Sequence, residues 1–252
     1  MSPTCLLPLA QTALPELSLP RLAIGLLPAL AVLAVLRAWR LGPGSAVYAL
    51  ARMLLQLLLI GHVLISLFEV ESPLPVLGVL ALMIAAAGWI SLRNQNRPTV
   101  ELLPRALIAV GVGGGVVLAT VTLAVLDLDP WFEPRTVISL SGMIFAAAMN
   151  AVSLAGERLG AELGRGEPYA DARGVAMRAA LIPITNSLFA VGLVQLPGMM
   201  TGQILAGADP LVAARYQIMV MCMLFGAAGL SAALYLTQLA PPIDEHAEAQ
   251  LP

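Results

Sequence analysis

The sequence predicts an all-α polytopic membrane protein with seven transmembrane helices. Three observations predict it. Charged residues make up 11% of the 252-residue chain and hydrophobic residues 59%, whereas a soluble domain carries roughly 25% charged residues. Seven apolar stretches approach the length that a spanning helix needs, about 20 residues. Arginines gather in alternate loops, the pattern that orients membrane proteins. This composition excludes an ordinary soluble globule, a disordered chain and a nucleic-acid binder.

The spans follow in order. The first runs from about Leu19 to Leu36, the second from Tyr48 to Phe68 and the third from Leu74 to Leu92. The fourth runs from about Leu107 to Leu126 and the fifth from Val137 to Ala155. The sixth starts near Ala179 and is broken at Pro197-Gly198, and the seventh runs from about Leu211 to Leu239. Residues 1 to 18 lack a basic start and carry Pro3, Pro8 and Pro15. They read as an extramembrane segment rather than a signal peptide. Residues 1–252 form a single permease-like domain with no second domain and no clear repeat.

Ten of the 13 basic residues, all of them Arg, lie in or beside the first, third and fifth loops. The opposite side holds Arg21, Arg135 and Arg215 among Glu69, Glu71, Asp127, Asp129, Glu133 and Asp209. The N-terminus is therefore expected outside and the C-terminus in the cytoplasm, with residues 240–252 as an acidic cytoplasmic tail. Trp89 and Trp131 suit the two interfacial belts.

Catalytic machinery is not visible. The chain has no G-x-x-x-x-G-K-[ST] loop, no H-E-x-x-H and no G-x-S-x-G, so it is not expected to bind nucleotide or act as an enzyme by itself. Gly111-Val112-Gly113-Gly114-Gly115 lies inside a span, where small residues let helices approach closely. His62 and His246 are too far apart in this topology to pair. Cys5 and Cys222 read as free or buried thiols.

Polar groups inside spans are costly and hence informative. Asn150, Asn186, Gln195, Gln203 and Gln217 concentrate in spans five to seven. They admit two readings: hydrogen bonds between helices, or a polar route for a solute. Pro197 removes a backbone donor and Gly198 permits a non-helical turn, the device by which transporters expose backbone groups. Met199 and Met200, with Met219, Met221 and Met223 around Cys222, add soft donors or simple apolar filler. The fifth loop, Glu157 to Arg178, contains an amphipathic stripe of Tyr169, Ala172, Val175 and Ala176, a natural docking element for a cytoplasmic partner.

These pieces, in this order, resemble the Fet-type iron-export ABC transporter permeases and the plant permeases linked to aluminium tolerance. The resemblance rests on Ala179–Pro183 with Asn186-Ser187, Val191–Leu193, the run Leu196-Pro197-Gly198-Met199-Met200-Thr201-Gly202-Gln203-Ile204-Leu205-Ala206-Gly207, Asp209-Pro210 and Arg215–Ile218. Gly142–Ile144, Met149-Asn150, Leu154, Glu157–Leu159, Ala51-Arg52, Gln56-Leu57 and Gly61 extend it over nearly all of the chain after the first span. It implies a subunit of the bacterial inner membrane that pairs with a separate cytoplasmic ATPase. The usual assembly has two permeases and two ATPases, so the permease is a homodimer. ATP and Mg would sit on the partner, and this chain would hold no cofactor. The substrate implied for the bacterial family is iron, exported to relieve metal excess. The family's connection between spans five and six is usually longer than Glu157–Arg178.

The expected pathway is Asn150, Asn186, Gln195, Pro197, Gly198, Met199, Met200, Gln203 and Gln217, joined by backbone carbonyls freed near Pro197. The expected ATPase-facing residues are Arg165, Tyr169, Arg173 and Arg178. The competing reading is a stand-alone channel or secondary carrier, which would need an intramembrane carboxylate that no span supplies. A membrane enzyme such as a lipid transferase would need a clustered acidic or histidine motif.

Overall fold

The structure, a computed structural model, describes residues 18–68, 72–93, 95 and 99–241. The N-terminal segment 1–17, the tail 242–252, Cys5, His246 and the side chain of His62 lie outside the described residues. The described residues are helical, and their only extended pairing is an isolated bridge between Val191 and Gln195.

The chain divides into two units, Met1–Ile65 and Ser66–Pro252. The first holds α1 (Leu19–Gly25), α2 (Leu27–Ala38) and most of α3 (Gly44–Phe68). Pro28 stands at the start of α2 and divides the expected first span into two helices at Leu26. Leu22, Ile24, Leu27 and Leu30 are exposed, as are Leu55, Leu57 and Leu58 of α3. Such surfaces suit a hydrocarbon environment, not water.

The second unit holds α4 (Pro73–Ser91), α5 (Thr99–Ala119), α6 (Pro134–Leu163), α7 (Tyr169–Ala190), α8 (Gly198–Leu205) and α9 (Pro210–Gln238). A π-helical turn, Thr120–Val125, continues α5. α6 and α9 pack together at the centre; α4, α5 and α7 lie against α6, and α5, α7 and α8 lie against α9. Both central helices start by the same device. Glu133 accepts from the Arg135 and Thr136 amides at 3.2 and 2.6 Å, and Asp209 from those of Leu211 and Val212 at 2.8 and 3.2 Å. Pro134 and Pro210 follow, where a missing N–H costs nothing.

Helices in lipid gain little from hiding apolar surface from one another, so close approach decides their packing. Ala151 and Ala155 of α6, Ala172, Ala176 and Ala180 of α7, and Ala228 and Ala232 of α9 form one buried seam. The glycines of α5 supply another. A Cβ on Gly113 would fall 2.8 Å from the Ser231 backbone nitrogen of α9, and one on Gly114 would fall 2.9 Å from the Phe145 ring of α6.

Five stretches are long and apolar enough to cross a membrane among the described residues: Pro20–Ala38, Pro73–Ser91, Val100–Val125, Pro134–Leu163 and Pro210–Gln238. They coincide with the expected first, third, fourth, fifth and seventh spans. At the second stands α3, 25 residues from Gly44 to Phe68, with an apolar stretch over Gly44–Ile60. At the sixth stands α7, whose first half carries Asp171, Arg173 and Arg178.

Two local expectations change. The helical pattern at Tyr169–Arg178 is not a separate docking helix, because α7 continues it without interruption to Ala190. Only residues 164–168 separate α6 from α7. The break also begins earlier than Pro197. α7 ends at Ala190 because Gly192 takes φ +82, a left-handed conformation that side chains disfavour. The amides of Leu193, Val194 and Gln195 then turn back onto the Ala190 carbonyl at 3.2, 2.8 and 3.0 Å. Pro197 caps α8 instead of breaking α7.

Candidate functional site: two cavities beside the broken helix

α8 is a short helix laid against α9, and its two faces line different cavities. Met199 and Gln203 are four residues apart and share one face. With Leu126, Met143, Tyr216 and Met219 they line a cavity of about 540 Å³ between α6, α8 and α9. Thr136, Ser139 and Arg135 complete its α6 side. The Oε1 of Gln203 is buried and has no hydrogen-bond partner. The cavity thus offers three thioethers, an amide oxygen and hydroxyls, and no carboxylate lines it among the described residues.

Met200 points the other way. With Gln217, Met221 and Cys222 it lines a second cavity of about 380 Å³ bounded by α7, α8 and α9. Gln217 is 6% exposed, and its Oε1 also lacks a partner.

The remaining expected pathway residues are placed elsewhere. Asn150 lies in a third, smaller cavity with Pro183, Ile184 and Ser187, between α6 and α7. Asn186 is exposed on α7. Gln195 is exposed in the turn, where its carbonyl accepts from the Gly192 amide at 3.0 Å. The carbonyls of Pro197 and Gly198 are engaged within α8. That of Pro197 accepts from the Thr201 amide at 3.0 Å and from its hydroxyl at 3.1 Å, and that of Gly198 accepts the same hydroxyl at 3.0 Å. Pro197 and Gly198 thus place the start of α8. Met143 and Tyr216 were not among the expected residues, and Met219 was expected only as a soft donor or apolar filler. Met143 and Tyr216 lie inside the stretches that carry the resemblance, and that was the available signal.

The four residues expected to face a partner lie at the other end of α6 and at the start of α7. Arg165 is exposed and pairs with Glu162 at 3.2 Å; Arg158 holds the same carboxylate oxygen at 2.5 Å. Glu162 itself is 6% exposed, which two guanidinium partners make tolerable. Arg173 stacks over the Tyr169 ring, 5.9 Å from its centroid. The Tyr169 hydroxyl donates to the Leu236 carbonyl in the last turn of α9, fixing the start of α7 against that helix. Burial pushes the Tyr169 phenol above its ordinary value, against the opposing pull of the Arg173 charge. Arg178 is exposed farther along α7.

The family model of an uncharacterised protein family, UPF0014, matches residues 19–168 and 165–241. A UPF0014 membrane protein of Synechocystis, slr1647, is 36% identical over 193 residues, 71% of this chain and 74% of that protein. The probable iron export permease protein FetB of Escherichia coli is 36% identical over 209 residues, covering 75% of this chain and 78% of its own. The Arabidopsis thaliana protein ALUMINUM SENSITIVE 3 is 31% identical over 205 residues, covering 75% and 73%. No solved structure matches. Coverage on this scale, with the helical and apolar architecture above, makes the chain a membrane protein of the UPF0014 family.

Proposed function

We propose that this chain is the membrane-spanning permease subunit of an ABC transporter and exports iron or another small solute. ATP, with Mg, is bound and hydrolysed by a separate cytoplasmic ATPase, and two permeases pair with two ATPases in the bacterial inner membrane. The observation that carries this reading is the cavity beside α8. A helix break sets Met199 and Gln203 opposite Met143, Tyr216 and Met219, and interrupted helices in membranes survive where they line such a space. The name of the similar E. coli protein supports iron as the first substrate to try.

In this reading the chain crosses seven times. The α1–α2 pair, α3, α4, α5, α6 and α9 each make one crossing, and α7 with α8 makes the interrupted sixth. Residues 179–190 of α7 rise about 18 Å at 1.5 Å per residue, and α8 completes the crossing. The arginine distribution puts the α6–α7 turn in the cytoplasm, where Arg165, Tyr169, Arg173 and Arg178 meet the ATPase. Because Tyr169 is bonded to α9, a push on this turn reaches the helix that carries Tyr216 and Met219. A cavity with thioethers, an amide and hydroxyls, no carboxylate, and the Arg135 guanidinium on its wall holds a cation weakly, which suits an ion that must be released.

The test is vanadate-sensitive ATP hydrolysis by the co-purified permease–ATPase complex in liposomes, with iron and with other solutes. Stimulation by iron that is lost in Met199→Ala and Gln203→Ala is the expected result. An active complex indifferent to iron removes the substrate and keeps the ABC assignment. Failure to associate with any co-expressed ATPase, with transport persisting without ATP, replaces it by a stand-alone carrier.

A further inference from the structure

The second cavity has its own chemistry. On α9, Gln217 and Met221 fall four residues apart on one helical face, and Cys222, about 100° round the helix from Met221, borders the same cavity. Met200 of α8 meets that face across about 380 Å³ of otherwise apolar space. The sulphur groups are not all core filler. Met223, one residue past Cys222, is 2% exposed and belongs to the packed core, whereas Cys222 is an exposed thiol on the cavity wall. The amide of Gln217 adds an independent observation. It is more than nine-tenths buried, it lines the same cavity and its oxygen is unpartnered. Leaving such a group unmet is costly, so it favours an occupant.

We propose that Met200, Met221 and Cys222, with Gln217 beside them, bind a soft monovalent cation of the Cu(I) or Ag(I) class. Two thioethers and a thiol are a donor set such ions select; Zn(II) also takes thiolate but completes a four-ligand site with further thiolate, imidazole or carboxylate, and Fe(II) draws on imidazole and carboxylate. Neither of those groups lines this cavity. Binding exchanges the Cys222 thiol proton for the cation. The thiolate and the monovalent ion then sum to zero charge, which apolar walls tolerate. α8 separates this site from the cavity of Met199 and Gln203, so one can be occupied or emptied without the other.

The test uses the full chain in detergent with Cys5→Ser, leaving Cys222 as the only thiol. Cu(I) is titrated anaerobically against bicinchoninate, and Ag(I) is added before maleimide labelling. The proposal expects a single equivalent of Cu(I) per chain and protection of Cys222 by Ag(I) but not by Fe(II) or Zn(II). Met200→Leu and Met221→Leu conserve volume and are expected to fold, with gel-filtration elution as the check. Each is expected to weaken Cu(I) binding about tenfold or more, and Gln217→Leu by a smaller factor. Undiminished binding in both methionine variants would reduce the site to a bare thiol and overturn the proposal. Equal protection by Fe(II) or Zn(II) would overturn its chemical class.

Discussion

Tyr235 donates its phenolic proton to Gln95 Oε1 at 2.7 Å, joining α9 to the segment between α4 and α5. Tyr235 has no exposed surface, and the Gln95 amide rests on Gly156 of α6, where a Cβ would collide with it. One polar contact thus fastens the ends of three helices. Tyr235→Phe leaves Gln95 without its donor and is expected to cost ~1–2 kcal/mol, read as a lowered thermal midpoint in detergent. Gly156→Ala displaces the Gln95 amide, so its loss should add little to that of Tyr235→Phe when the two are combined. Full additivity would show that the two residues do not share this contact.

The glycine run of α5 makes a sharper distinction than its composition suggests. Gly113 faces the Ser231 backbone, which cannot yield as a flexible side chain can, whereas nothing lies within 4 Å of a Cβ on Gly115. Gly113→Val is therefore expected to separate α5 from α9 and abolish folded protein, and Gly115→Ala to leave it unchanged. Monodisperse yield after detergent extraction distinguishes them; equal yields would refute the assigned contact.

α6 and α9 start at Pro134 and Pro210, close to the expected Val137 and Leu211, and Glu133 and Asp209 cap them locally. The alanine stripe of α7 was legible because Ala172 and Ala176 follow from spacing alone. The break was visible as a composition but misplaced, because Pro197 outweighed Gly192 in the reading although the glycine's left-handed turn ends the helix. That turn also sets the rotation of α8, which sends Met199 and Met200 into different cavities. No spacing rule reveals a rotation fixed by seven irregular residues. The Gln95–Tyr235 contact was equally hidden, since it joins positions 140 residues apart.

Glu133 links helix capping to pH. Its burial alone would raise the carboxyl, but the bonds from Thr136 and Arg135 and the Arg135 charge prevail and hold it below its ordinary value of 4.5. The ionised form is thus favoured in the folded state. Its contribution is present above that value and lost as pH falls through the depressed folded one. Glu133→Gln keeps the shape and removes the charge, and is expected to cost ~0.5–1 kcal/mol at pH 7. The parent and variant should converge as the pH falls through the depressed folded value. A constant gap between their unfolding midpoints at all pH values would refute the charge as the cause.

Tyr169 behaves with the opposite sign. Its phenol is raised above the ordinary value of 10.0 by burial, so the folded state retains the proton that the unfolded chain gives up first. The stabilisation is fully present below pH 10 and is lost as pH rises through the folded value. Tyr169→Phe removes the bond to the Leu236 carbonyl and is expected to cost ~1 kcal/mol at neutral pH. The variant should also lack the parent's extra loss of stability above pH 10. In the reconstituted complex this variant leaves Arg165, Arg173 and Arg178 intact, so ATPase binding should persist. ATP hydrolysis should become less responsive to substrate, because the α6–α7 turn is no longer tied to the helix carrying Tyr216 and Met219. Unchanged substrate stimulation together with the stability loss would confine Tyr169 to holding the fold.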